Sequence, residues 1–339
     1  VAQAHVHLSE VSSVILVTGG AGFIGSNVVA ALEDAGAAVA VSDRLGHDDK
    51  WKNLRARNLA ELVDPGALDG LLERRGSDIE AVVHMGAISA TTETDVDLIL
   101  DNNLRLSQQL WRWCAEHQVP LIYASSAATY GDGSEGFGDD DRPEALARLM
   151  PLNAYGWSKH LFDRWAVRQV AEGRPTPPSW VGLKFFNVYG PNEHHKGDMR
   201  SVVTKAFPGA AAGNPVSLFR SHHPDYEDGG QMRDFVYVED CVDVILWLLD
   251  HPEVCGVYNL GTGRAQSWLE LMTALYAAVD QPMRVEWVDT PPEIRDRYQY
   301  FTQADLSRLR AAGYHRAFRS VEEGVADYVA RYLKPGVWR

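Results

Sequence analysis

Residues 14–25 read VILVTGGAGFIG, and this run constrains the fold more than any other part of the chain. An unbroken apolar stretch ends in Gly19, Gly22 and Gly25 and leads into a helical pattern. The first glycine permits a tight turn. The second lets backbone approach a pyrophosphate, and the third lets the helix pack closely on its strand. A helix that starts here aims free N–H groups and the positive end of its dipole at the loop, which suits a phosphate. Glycine triplets also arise by chance. This one lies between a strand and a helix, and an acid, Asp43, stands at the end of the next apolar run. The combination predicts dinucleotide binding rather than a purely structural turn.

The alternation continues along the chain. Apolar runs at 14–18, 38–42, 81–84, 121–124 and 180–186 alternate with helical patterns near 22–35, 67–74, 99–117 and 154–171. That order predicts an α/β fold of the Rossmann type, a doubly wound parallel sheet. The runs show little polar alternation, as expected when helices cover both faces. Residues 173–178 (GRPTPP) read as a loop, because prolines do not sit in element interiors. Beyond residue 191 the pattern is less regular. The runs 236–238, 241–249 and 257–260 read as a strand-helix-strand return to the sheet, and 270–279 and 321–332 as helices of a second lobe. The expected division is a dinucleotide-binding domain of 14–190 with 234–262, and a smaller, discontinuous substrate lobe of 191–233 with 263–334.

At 339 residues the chain is long enough to bury a core without disulfides or metal. Its 46 acids against 32 bases give a net charge of −14, which argues against nucleic acid or an anionic membrane as a partner. No run approaches the roughly 20 apolar residues of a membrane span. Cys114, Cys241 and Cys255 lack CxxC spacing, so neither a disulfide framework nor a zinc site is expected, and a reducing cytoplasm is. The first thirteen residues lack the basic start and apolar centre of a secretory signal. Histidines 194–195 and 222–223 come in adjacent pairs without acid or Cys partners at ligand spacing, so no metal site is expected.

Two groups of residues carry chemistry. Asp43 suits the ribose hydroxyls of NAD, while Arg44 beside it can receive the 2′-phosphate of NADP. Lys50 and Lys52 add positive charge, so NADP is the expected cofactor and NAD the alternative. Tyr155 and Lys159, in NAYGWSKH, are four residues apart, on one face of a helix. A neighbouring ammonium lowers the pKa of a phenol, so Tyr155 is expected to take a proton from an alcohol as hydride leaves its carbon. The pair follows Ser125 and Ser126 at a strand end, which makes a chance occurrence a poor explanation.

Taken together these motifs resemble the extended short-chain dehydrogenase/reductase superfamily. TGGAGFIGSN, DNN at 101–103, YASSAATYG at 123–131, NAYGWSKHLFD at 153–163, FFNVYGPNEHHKG at 185–197, RDFVYVED at 233–240, YNLGTGRAQS at 258–267 and RYQYFTQADL at 297–306 are more specific. They resemble the ADP-glycero-manno-heptose 6-epimerase family over nearly the whole chain. The resemblance implies inversion at C6 of ADP-heptose through a transient 6-ketone, with no net redox change, on the way to lipopolysaccharide core. It implies Tyr155 and Lys196 as acid/base groups on two sides, Lys159 as partner of the tyrosine and Ser126 as hydrogen-bond donor to the reacting oxygen. It places Phe23, Ile24, Lys50, Met85, Gly86, Ala87, Ile88, Ser89, Asn102, Val188 and Lys196 at the cofactor. It places Asn187, Asp198, Lys205, Phe219, Arg220, Ser221, Arg233 and Tyr298 at the sugar nucleotide, Arg233 being suited to a diphosphate. The family assembles as homo-oligomers, which is the expectation here.

Departures from the family pattern fall on the sugar-nucleotide side. Asp198 stands where some members have serine, Lys205 where they have histidine, and residues 220–231 are longer than the usual loop. Sugar-nucleotide 4,6-dehydratases place Asp-Glu where this chain has Ala127 and Ala128, so elimination chemistry is not expected. Two other readings compete: a 4-epimerase or 4-reductase of UDP, GDP or dTDP sugars, which Tyr155 and Lys159 would serve equally, and an NAD(P)-sensing regulator without turnover. Such regulators tend to lose the catalytic tyrosine.

Overall fold

The computed structural model describes residues 13–295 and 299–339. The stretch read for a secretory signal, up to residue 12, and Tyr298 lie outside the described residues. The strands in chain order are β1 (Val14–Thr18), β2 (Ala38–Ser42), β3 (Glu61–Val63), β4 (Ile79–His84), β5 (Leu121–Ser126), β6 (Trp180–Phe185), β7 (Asn187–Tyr189), β8 (Val216–Phe219), β9 (Met232–Tyr237), β10 (Gly256–Leu260), β11 (Ala265–Ser267) and β12 (Val285–Val288).

Seven of these form one sheet in the order β10-β6-β5-β4-β1-β2-β3. Every pairing in it is parallel. Parallel strands need crossovers, and helices supply them on both faces. β1 shows the consequence in five residues. Ile15 and Val17 join one core with the helices Phe23–Asp34 and Val238–Leu249, while Val14 and Leu16 join another with Leu68–Arg75, Leu106–His117 and Ala154–Ala171. Both faces are dry, so the strand reads as an apolar run. The strand order reverses between β1 and β4, and the crevice beyond the carboxyl ends of these strands is where such sheets bind ligands.

A third core lies outside this sheet. It gathers Phe235 and Tyr237 of β9 with Val203, Leu271, Met272, Leu275, Val325 and Tyr328. β7, β9 and β11 form a three-stranded sheet, and β8 pairs with β12 in parallel. The run expected to return to the main sheet near 236–238 does not do so: its strand is longer and pairs with β7 and β11. Polarity hid its first half. Asp234 is fully buried within it and accepts the Thr262, Gly263 and Ala304 backbone N–H groups and the Thr262 hydroxyl at 2.7–3.0 Å. A buried carboxylate with four donors belongs in a strand interior, although its residue type signals a loop.

Candidate active site

The carboxyl ends of β1, β4 and β5 open into a cleft of about 820 Å³ whose far wall comes from β7, β9 and the helix Trp268–Ala278. Its floor is the glycine loop. Gly19 has φ of +67°, and a Cβ there would stand 2.5 Å from the backbone nitrogen of Gly86; one on Gly25 would stand 2.1 Å from the Gly19 carbonyl. Only hydrogen fits at either place, so the loop lies flat beneath the cleft. At the end of β2 Asp43 accepts the Ala21 N–H at 2.8 Å and the Lys50 ammonium at 2.6 Å. Lys50 also donates to the Arg44 carbonyl at 2.9 Å.

The next wall is residues 85–89, after β4. Its shape depends on a buried polar chain that sequence reading missed. Thr18 donates to Nδ1 of His84 at 2.5 Å, and Nε2 donates to Ser107, whose hydroxyl donates to the Asn103 carbonyl at 2.7 Å. This chain accommodates a neutral imidazole, and burial together with the nearby Lys159 pulls the His84 pKa down to about 3. The Asn103 side chain then clamps the loop, accepting the Ile88 N–H at 2.8 Å and donating to its carbonyl at 2.9 Å and to Ser158 at 3.0 Å.

Ser126 ends β5, and the helix Ala154–Ala171 runs alongside. Asn153 caps that helix, accepting the Gly156 N–H at 2.8 Å. Tyr155 and Lys159 both line the cleft. Burial raises the Tyr155 phenol above its ordinary value, and its hydrogen bond with Ser126 offsets part of that rise. The expected lowering by Lys159 is not what sets this phenol: burial raises it, and the Asp163 carboxylate adds to the rise. Lys159 itself is 3% exposed, and burial pulls it down to about 8. Among the described residues its ammonium has no hydrogen-bond acceptor, and it lines the cleft, where a ligand can supply one. With the glycine floor and the Asp43 carboxylate, this orphaned donor fits the ribose and pyrophosphate of a nicotinamide dinucleotide.

The opposite wall carries Lys196. The chain leaves β7 through Pro191 and Asn192 to a buried Glu193, which accepts the Ser201 and Thr204 hydroxyls at 2.5 Å each. Asn53 ties this loop to the glycine floor, donating to the Ala21 carbonyl at 2.9 Å and the Asn192 carbonyl at 3.1 Å. Lys196 follows, with its ammonium 5.1 Å from the Phe23 ring. Burial lowers its pKa while Glu193 opposes the change. Gly197 then turns the chain with φ of +53°. Val188, Asn187, Arg233, Trp268 and Gln299 complete this side. Arg233 donates to the Met232 carbonyl at 2.8 Å and lies 6.0 Å from the Trp268 ring. Among the described residues no cluster of His, Cys, Asp or Glu is arranged to hold a metal ion.

Residues 15–261 match the NAD dependent epimerase/dehydratase family. A relative in Nitratidesulfovibrio vulgaris named ADP-L-glycero-D-manno-heptose-6-epimerase is 51% identical over 321 residues, covering 94% of this chain and 97% of the relative. This chain belongs to the ADP-L-glycero-D-manno-heptose-6-epimerase family. A second relative of that name, in Fusobacterium nucleatum, is 46% identical over 94% of this chain and 98% of its own length. The crystal structure of the Helicobacter pylori ADP-L-glycero-D-manno-heptose-6-epimerase superposes with a TM-score of 0.77 at 28% identity, covering 96% of this chain and 98% of that one. The Thermus thermophilus UDP-glucose 4-epimerase, solved with NAD, gives 0.72 at 28% identity over 96% and 100%. Like other members of the epimerase family, the chain is an isomerase that acts on a nucleotide sugar with a nicotinamide cofactor.

Several residues expected at the epimerase site lie elsewhere. Arg44 is exposed and faces Asp64 at 3.6 Å, while Lys50 enters the cleft. Asn102 bonds back to the Leu98 carbonyl, outside the cleft wall. The reason is a π-helical turn at Asp101–Arg105, whose wider winding brings Asn103 inward instead. Lys205 is exposed and donates to the carbonyl of Asp198, and neither lines the cleft. Phe219, Arg220 and Ser221 sit at the end of β8, also outside the cleft wall, where Arg220 pairs with Asp228 at 3.2 Å and Ser221 bonds the same carboxylate.

Proposed function

We propose that this chain inverts C6 of the heptose in ADP-glycero-manno-heptose with resident NADP. The observation that carries this reading is the convergence of Tyr155 and Ser126 from one wall and Lys196 from the other on a single cleft. The nicotinamide, when bound, supplies reversible hydride transfer at C6. Inversion requires the sugar to offer its two faces in turn, so the oxygen on C6 must meet a proton donor in each of two orientations. Tyr155 serves one orientation and Lys196 the other, with Ser126 donating to the same oxygen. Lys159 holds the cofactor ribose and favours the phenolate when Tyr155 gives up its proton. Lys196, its ammonium weakened by burial, releases a proton more readily than an exposed lysine would. Arg233, on β9, suits the diphosphate.

The choice of NADP rests on Lys50. It neutralises Asp43, whose charge would otherwise repel a 2′-phosphate. Self-association belongs to the same reading: Val96, Leu98 and Trp157 leave 36–40% of their area exposed on helices that pack together. Among the described residues no helix is long and apolar enough to cross a membrane. We read the compartment as the cytoplasm, where Cys114, Cys241 and Cys255, all free, stay reduced. The test follows deuterium placed on C6 of the ADP-heptose. Internal return keeps the label on C6 of the inverted product. Inversion with loss of the label to solvent would overturn the mechanism.

A further inference from the structure

Beneath the Ser126 end of β5 lies a charged pair shut off from solvent. The side chains of Lys184 and Asp163 are 1% and 0% exposed and 3.0 Å apart. Asp163 also accepts the Tyr123 hydroxyl at 3.0 Å and the Ser125 hydroxyl at 2.6 Å. Lys184 donates a second bond, of 2.6 Å, to Thr129, and the Thr129 hydroxyl donates to the Ser126 carbonyl at 2.8 Å. A buried ion pair is weak grounds for stability, because well-packed apolar residues often do as well. Its location gives a better reason. Asp163 follows Tyr155 and Lys159 at four-residue intervals, one and two turns along the same helix face. The pair therefore joins the helix that bears Tyr155 to the residues on either side of Ser126, Ser125 before it and Thr129 after.

We propose that Asp163 and Lys184 are a positioning pair that fixes the Ser126 hydroxyl against Tyr155, and that the Asp163 carboxylate keeps Lys159 protonated; this deepens the role given to those residues above. The groups facing Lys159 support the second half. His84 approaches from β4 and is neutral, and Tyr155 on its own helix is a phenol held above its ordinary pKa. Asp163 is the negative charge acting on Lys159, opposing the drop caused by burial. Lys184, from β6, offsets part of that field, and the neighbouring His160 is neutral, with burial holding it at about 4.

The titration of Lys159 tests this without any substrate, so its outcome stands whatever sugar the cleft takes. It is followed by NMR of ¹³C-labelled lysine in the full chain, with the signal assigned by Lys159→Met. Asp163→Asn should move the midpoint down by about one pH unit, as for loss of an opposite charge nearby. The alkaline limb of kcat/KM should move with it. A merely structural role would lower the rate and leave the midpoint in place, and an unmoved midpoint overturns the electrostatic half. Thr129→Val keeps both charges and cuts the link to Ser126. It should lower kcat roughly tenfold to a hundredfold with KM and the Lys159 midpoint unchanged, the cost of a misplaced reacting group. Wild-type kcat in a folded Thr129→Val protein overturns the positioning half, whether or not Asp163→Asn folds. If Asp163→Asn does not fold, Lys184→Met, which keeps the carboxylate and removes the opposing cation, should move the Lys159 midpoint up, and an unmoved midpoint there overturns the electrostatic half. Failure of the wild-type enzyme to act on ADP-heptose would instead sink the substrate reading and leave the titration result intact.

Discussion

A carboxylate at the end of β2 repels a 2′-phosphate unless something neutralises it, and here Lys50 does so at 2.6 Å. Lys50→Met should therefore weaken NADP binding by about 1.5–3 kcal/mol, the worth of a charged hydrogen bond, and leave NAD binding little changed. Arg44→Ala should cost less, because that side chain is 65% exposed and already faces Asp64. Fluorescence titration with both cofactors checks the order, and equal losses for NADP and NAD in Lys50→Met would remove the basis for choosing NADP. Tyr155→Phe should lower turnover by about 10²–10⁴ while cofactor stays bound, as when a positioned acid/base is removed. Near-normal turnover would show that another group moves the proton. Tyr155, Lys159 and Lys50 were all legible as residues, because a motif or a spacing marks them. The rise at Tyr155 was not: the spacing announces a nearby ammonium, whereas the burial that raises the phenol depends on residues far away in sequence.

The segment after β4 shows what a pattern of helices and strands leaves out. A continuous helix over 99–117 was a sound expectation from its apolar spacing, yet a π-turn at Asp101–Arg105 interrupts it and sends Asn103, not Asn102, toward Ile88. One extra residue in a turn leaves no mark in periodicity. Asn103→Ala should leave the sheet intact, free the loop at 85–89, and weaken cofactor binding by about 1–3 kcal/mol, the penalty for unsatisfied buried groups. Isothermal calorimetry measures that loss. The His84 chain makes a second element-scale prediction. Its folded-state pKa of about 3 lies below the ordinary 6.5, so the unfolded chain takes up the proton first. His84's contribution is fully present above pH 6.5 and is lost as pH falls from there toward 3, at about 1.4 kcal/mol per pH unit. Thermal melts between pH 7.5 and about 5 should show the decline, and His84→Gln should flatten it. A wild-type melting temperature that rises on acidification would contradict the neutral assignment.

At the scale of the whole molecule, the parallel sheet was readable from residues 14–190 because each strand is an apolar run buried on both faces. The part outside this sheet was harder. Its strands are three to six residues long, and β9 buries a charged residue, so composition pointed to loops. Lys196 was beyond reach of spacing altogether. It became visible through family motifs, and the fold supplies its physical context: Asn53 and Glu193 hold its loop across the cleft from Tyr155. Lys196→Met should block inversion yet retain part of the redox exchange on an aldehyde analogue, because each proton donor serves mainly one orientation of the sugar. The most direct measurement is ¹H NMR of the wild-type protein with ADP-D-glycero-D-manno-heptose and no added reductant. The expected result is a mixture of the two C6 epimers, formed far more slowly by Tyr155→Phe and Lys196→Met. Unchanged ADP-heptose, with inversion at C4 of a UDP-sugar under the same conditions, would contradict the assignment.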